Sequence, residues 1–235
     1  VKVLKANPEI VLATRAYGWF KENPNELCDT VRHLTDDTLF QPGADAIKFF
    51  FRRVGVISGF IVNAEKAKKL SSDLFDGRLY YQMYLAGMLM AEGQGYYFSD
   101  VMTLSRDTEA PDFGNAGTEK GVFTPGGYKP EGRIHMVEGL LLIAKYIEDT
   151  TKIDGVYAGI RKDLANYFYP YIRDQLDLPL YTYIKMINKF REMGFSNEKL
   201  FYVHAFLGYV LKRRGYDALI KYIRSKKGGT PRLGI

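Results

Sequence analysis

The sequence predicts an α+β chain: a partial mixed sheet with covering helices, followed by a C-terminal helical bundle. Three observations lead there. Over roughly the first hundred residues, short runs of β-branched and aromatic residues alternate with helical periods. Residues 106–132 are rich in glycine and proline and carry no period, and beyond them every apolar pattern is helical. A chain of 235 residues with 46% hydrophobic content can also fill a sizeable core. The expected organisation is therefore 1–105, sheet with helices; 106–132, a flexible loop; and 133–235, a bundle with a basic tail.

In order along the chain, residues 10–20 follow Asn7-Pro8 and read as a strand. Thr35-Asp36-Asp37 reads as a loop or the first turn of a helix, and Pro42-Gly43 leads into a short helix over 44–51. Residues 54–62 predict a second, buried strand, whose glycines Gly55 and Gly59 imply close backbone approach. Asn63 is placed to cap a helix over 64–70. Residues 73–77 form a turn, 79–91 an apolar helix ending at Gly93, and 95–104 a third strand. In the bundle, three sets each share a face: Val137, Leu140, Leu141, Ala144 and Ile147; Leu200, Val203, Leu207 and Leu211; and Tyr216, Leu219, Ile220 and Ile223.

Composition narrows the function classes. The longest apolar runs are interrupted by charge before the eighteen or so residues a membrane crossing needs, so no spanning helix is expected. The chain starts at Val1 without a basic-then-apolar leader, so a signal peptide is not expected and the start reads as a cut. Cys28 is alone: it can form no internal disulfide and no thiolate metal site, which fits a reducing cytoplasm. The pI near 9.1 and net charge of +6 come from one end, because eight Lys or Arg after residue 199 face a single acid, Asp217. Such a tail, with Lys212, Arg213, Arg214, Lys221, Arg224, Lys226 and Lys227 among tyrosines, could attract anionic lipid at about 1 kcal/mol per charge. The expectation is a cytoplasmic protein, peripheral at the inner membrane face. No recognition motif accompanies the charge, so nucleic acid is not an expected partner. The alternative from a different class is a non-catalytic helical module that uses the tail to bind nucleic acid or a membrane surface. His33, His135 and His204 lack metal-ligand spacing, and no Gly-rich phosphate loop or nucleophile elbow occurs.

The order of segments carries a resemblance. A strand after Asn-Pro, then Ser58-Gly59-Phe60-Ile61-Val62, then Phe75-Asp76-Gly77-Arg78-Leu79-Tyr80-Tyr81-Gln82, then Gly95-Tyr96-Tyr97-Phe98 and a Gly/Pro-rich loop resemble the later, acceptor-side half of family 2 inverting glycosyltransferases over residues 1–150. The resemblance implies a GT-A fold and direct displacement at the anomeric carbon of a nucleotide-sugar donor, onto a glycan or lipid-linked acceptor. It implies Asp76 as the catalytic base, with Ser58, Gly59, Arg78, Arg106 and Arg133 as candidates for substrate binding. It also implies a divalent cation, Mn²⁺ or Mg²⁺, whose principal ligands lie outside this chain; Asp36-Asp37 imitates the acidic motif but is not expected to bind metal. From the residues alone, Asp76 better suits a cap for the helix that follows, and only the resemblance brings the base reading level with it; the neighbouring helix N-terminus would favour the ionised form.

Overall fold

The computed structural model describes residues 2–106 and 129–227. The chain is α+β, a curled mixed sheet with helices against it and further helices towards the C-terminus. After a short lead-in helix α1 (Lys2–Ala6), the sheet is built from β1 (Ile10–Phe20), β2 (Leu27–Val31), β3 (Thr38–Phe40), β4 (Ile61–Val62) and β5 (Gln94–Arg106). Its strand order is β2-β1-β5-β3, with β4 paired to β1 beside β2. The central pair β1/β5 is parallel, from Ile10 beside Gln94 to Phe20 beside Arg106, and the other pairs are antiparallel. A parallel strand covered on both faces needs a nearly continuous apolar run, and β1 is buried from Ile10 to Gly18. Irregularities in the β1/β5 register, at Ile10/Leu12, Arg15/Ala16 and Ala16/Tyr17, bend the sheet.

Helices α2 (Ala44–Arg53), α3 (Ala64–Lys69) and α4 (Tyr81–Glu92) belong to the sheet half. Asn63 caps α3, its side chain accepting from the Lys66 amide at 3.1 Å. α4 is apolar on every side because it is wedged between α2 and α5. Gly87 makes that contact possible: a Cβ there would stand 2.2 Å from Ile147 Cδ1. The remaining helices are α5 (Pro130–Thr151), α6 (Val156–Asn166), α7 (Tyr169–Ile172), α8 (Leu180–Glu192) and α9 (Lys199–Lys227). The predicted face of α5, Val137 to Ile147, is buried throughout. One apolar cluster runs from Val11 and Leu12 through Phe50, Leu89 and Ile147 to Phe168, Phe201 and Ile220, so sheet and bundle share a core. Ion pairs reinforce it: Arg52 grips Asp163 between α2 and α6 at 2.7 and 3.3 Å, and Arg173 grips Asp217 at 2.8 and 2.7 Å.

Several expectations need correction. Residues 54–62 are not a strand. α2 runs on to Arg53, Gly59 turns the chain with φ +77, and only Ile61–Val62 reaches β1. α4 begins at Tyr81 rather than residue 79, because Tyr80 sits in the left-handed region. Of the two readings of Thr35-Asp36-Asp37, the loop is the one that holds. In α9, Leu200, Val203 and Leu211 are exposed, and the helix instead buries Phe201, Ala205 and Gly208. A Cβ at Gly208 would stand 2.9 Å from Leu176 Cδ2, so this is the side that needs a small residue. α9 also kinks at Lys212 (φ 55, ψ 176), whose Nζ donates to the Leu176 carbonyl at 3.0 Å.

Candidate functional site

Asp76 lies in a turn held by backbone bonds from its own amide to Asp73 O (2.9 Å) and from the Arg78 amide to Phe75 O (3.0 Å). Phe75 anchors the turn in the core against Tyr84 and Tyr146, and Gly77, at φ +77, completes the reversal. Asp76 is left exposed, and its carboxylate has no hydrogen bond or ion pair with any described residue. It does not cap α4: the cap position is Tyr80, with no side-chain bond. The helix dipole therefore gives no argument for Asp76, because it acts within the first turn and α4 starts five residues later.

The other candidates separate into three groups. Arg78 turns away to α5, its Nη1 lying 3.1 Å from Glu138 Oε2 and 3.0 Å from His135 Nδ1, so it ties the turn to the bundle. Arg133 is no loop-edge arginine. It sits in the first turn of α5, buried, with its guanidinium donating to Asp174. Arg106, at the end of β5, is exposed and donates from Nε to Lys21 O at 3.1 Å. The intervening residues 107–128, the core of the predicted loop, lie outside the described residues.

Ser58 and Gly59 sit on an exposed turn, not a pocket-lining strand. The close approach inferred from Gly59 is real, but its object is the chain itself. A Cβ there would fall 2.6 Å from Arg15 Nε and 2.4 Å from Thr103 Oγ1. Arg15, on β1, is only 2% exposed. Its Nε donates to Thr103 Oγ1 at 3.2 Å and its guanidinium stacks on Tyr17 at 4.9 Å, while Nη1 and Nη2 have no partner among the described residues. Burial lowers its pKa, an effect opposed by Tyr17 and Tyr97. The surroundings are basic. Arg53 is pushed down to about 10, mainly by burial and then by Arg52. Burial, followed by Arg53, Arg52 and Arg15, holds His33 well below the usual imidazole range and therefore neutral. Arg52 and Arg53 thus share one carboxylate, Asp163, while Arg15 forms no ion pair with a described residue.

Both candidate turns meet one end of α4. The Ser72 amide donates to Tyr81 Oη at 2.9 Å, and Gln82 Nε2 donates to Gly55 O at 3.2 Å. The 54–60 loop and the 70–78 turn are thereby fastened to consecutive residues of the helix. An arginine inside the apolar run 10–20 was the signal in the sequence for the basic centre, since a charge in a buried strand requires a reason.

Asp37 plays a structural part, accepting from the Ser99 amide (2.8 Å), Ser99 Oγ (2.9 Å) and Tyr96 Oη (3.2 Å), and the amide bond in particular holds its pKa below the usual value. His204 bonds Tyr216 Oη and Asn166 O, and burial lowers its pKa. Among the described residues no three His, Cys, Asp or Glu converge as metal ligands, and no helix is long and apolar enough to cross a membrane. An open hollow on α8, lined by Asn188, Arg191, Glu192 and Ser196, shares no residue with the candidate site.

No protein-family model, curated protein or solved structure matches this chain.

Proposed function

We propose that this chain is the acceptor side of an inverting, nucleotide-sugar-dependent glycosyltransferase of family 2, with Asp76 as the general base. What carries this is the state of the Asp76 carboxylate: exposed, unpartnered among the described residues and free of the capping role that was its competing explanation. In the reaction, Asp76 takes the proton of an acceptor hydroxyl as that oxygen attacks the anomeric carbon. The carbon–oxygen bond to the diphosphate breaks with its electron pair leaving on the diphosphate, and configuration inverts. The acceptor is a glycan or a lipid-linked sugar. Support also comes from the order of segments and from a basic centre in which Arg15, packed beneath Gly59, acts on His33 together with Arg52 and Arg53. This centre keeps positive potential near the same end of α4, where an anionic donor suits it. Arg106 is the remaining exposed arginine for a donor phosphate, since Arg78 and Arg133 are committed to Glu138 and Asp174.

The described residues do not supply a ligand set for Mn²⁺ or Mg²⁺. We assign the principal ligands of the cation and the nucleotide to segments outside this chain and derive no step through the metal. Two measurements test the proposal. Asp76→Asn, in the enzyme that contains this chain, should lower kcat about 10²–10⁴-fold with donor binding unchanged; activity within about tenfold of wild type moves the base elsewhere. Calorimetric titration of the chain alone with UDP- and GDP-sugars plus Mn²⁺ should show no tight binding, and submicromolar affinity would contradict the division of labour.

A further inference from the structure

From the outward face of α9 we infer that the bundle docks on an anionic lipid surface, through an apolar helix face as well as through charge. The inference is independent of the sugar-transfer proposal. The first half of α9, before the kink at Lys212, is apolar on two sides. Its inner side, Phe201, Ala205 and Gly208, meets the core. Its outer side carries Lys199, Tyr202, Val203, Phe206 and Val210, which fall within about a third of a turn of one another at 100° per residue, and all are exposed. Phe206 is 67% exposed and Val210 59%. A stripe of four large apolar side chains at helical spacing is more than the scattered surface hydrophobes of an ordinary soluble face.

Charge selects the occupant. Of the basic residues of α9, Lys199 lies in the stripe and the others lie at or beyond the kink; Lys212 is turned inward, its Nζ 3.6 Å from the Tyr209 ring centre, and Arg213 lies 3.9 Å from Asp177. Lys199, Arg214 and Lys221 are exposed and form no ion pair with a described residue. The acid of this helix, Asp217, is bound by Arg173 and Tyr169. Pairing with a second copy across a two-fold axis would bring this basic helix against itself. Anionic headgroups instead neutralise the lysines and arginine while the acyl boundary covers Phe206 and its neighbours. The segment before the kink is about 20 Å long at 1.5 Å per residue and bears charge, so it suits the plane of the interface rather than a crossing.

The test uses the full chain with vesicles of phosphatidylcholine, with and without phosphatidylglycerol. Sedimentation should show binding to the anionic vesicles that is much weaker on phosphatidylcholine alone. The double substitution Phe206→Ser with Val210→Ser should weaken it about 100-fold or more, and Arg214→Ala about fivefold. Both serine sites are exposed, so circular dichroism and the melting temperature should stay at wild-type values. As an independent readout, Phe206→Trp should show blue-shifted emission on adding anionic vesicles and none on adding phosphatidylcholine. Three results overturn the inference: no binding to anionic vesicles; binding that high salt and Arg214→Ala abolish but the double serine variant retains, which makes the surface electrostatic only; or concentration-dependent dimers in light scattering that the double serine variant dissolves, which makes the face a contact between copies.

Discussion

Replacing Asp163 with Asn should be among the most damaging single changes away from Asp76. Asp163 is the counter-ion of Arg52, whose side chain is 8% exposed, and it lies 3.6 Å from Arg53 as well. Asn keeps the shape but leaves two partly buried guanidiniums facing an amide. Breaking a buried pair from one side costs about 3–5 kcal/mol, and because Asp163 retains 27% exposure the lower end, about 3 kcal/mol, applies. For a chain of this size that corresponds to a melting temperature lower by about 6–12 °C. The pH dependence has a definite sign. Burial opposes ionisation of Asp163, but the attraction of Arg52, its hydrogen bonds and the charge of Arg53 together hold the folded pKa below the ordinary carboxylate value. The stabilisation is therefore complete above the unfolded value of about 4 and disappears as pH falls through the lowered folded value. Urea denaturation at neutral pH should show the full difference between wild type and Asp163→Asn, and the two should converge in acid. A neutral-pH difference under about 1 kcal/mol, or one that persists unchanged in acid, would refute the assignment of Asp163 as the compensating charge.

Two further outcomes concern the basic centre. Arg15→Met removes a guanidinium whose two terminal nitrogens lack partners among the described residues, so stability in urea should hold or rise by about 1 kcal/mol; a loss above about 2 kcal/mol means that the guanidinium is paired. Gly59→Ala places a methyl group against Arg15 and Thr103 at φ +77 and should cost about 1–3 kcal/mol by thermal denaturation; a neutral result would mean that the turn does not close over Arg15.

Much of the fold was legible where one physical signal dominated. β1, β5, α2 and the capped α3 were readable because strand propensity, apolar period and a cap agree there. The α5 face from Val137 to Ile147 was readable because its opposite side is polar enough to leave one choice. Residues 54–62 misled because β-branched residues suit a strand, while Gly55 and Gly59 impose a turn whose shape is decided by Arg15, some forty residues earlier. Register and sheet order, with β1 parallel to β5, depend on contacts that no local pattern records.

The candidate site divides in the same way. Asp76 was legible through its turn, since Asp-Gly before a helical run marks a reversal, but whether the carboxylate is spent on a cap depends on where α4 begins. That boundary is set by Tyr80, which takes the left-handed conformation and packs against the core, and not by the residues next to Asp76. The same dependence governs the arginines, which look alike in sequence but differ in the partner that folding brings to each: Glu138 for Arg78, Asp174 for Arg133, none among the described residues for the far end of Arg15. In α9 the ambiguity becomes informative. A helix that needs one apolar side for packing and carries two has a surplus that core formation does not explain, and the same helix carries Lys199, Arg214 and Lys221 exposed and free of ion pairs with described residues. Apolar period alone could not tell the two sides apart; the glycine at 208, which only the packed side requires, does.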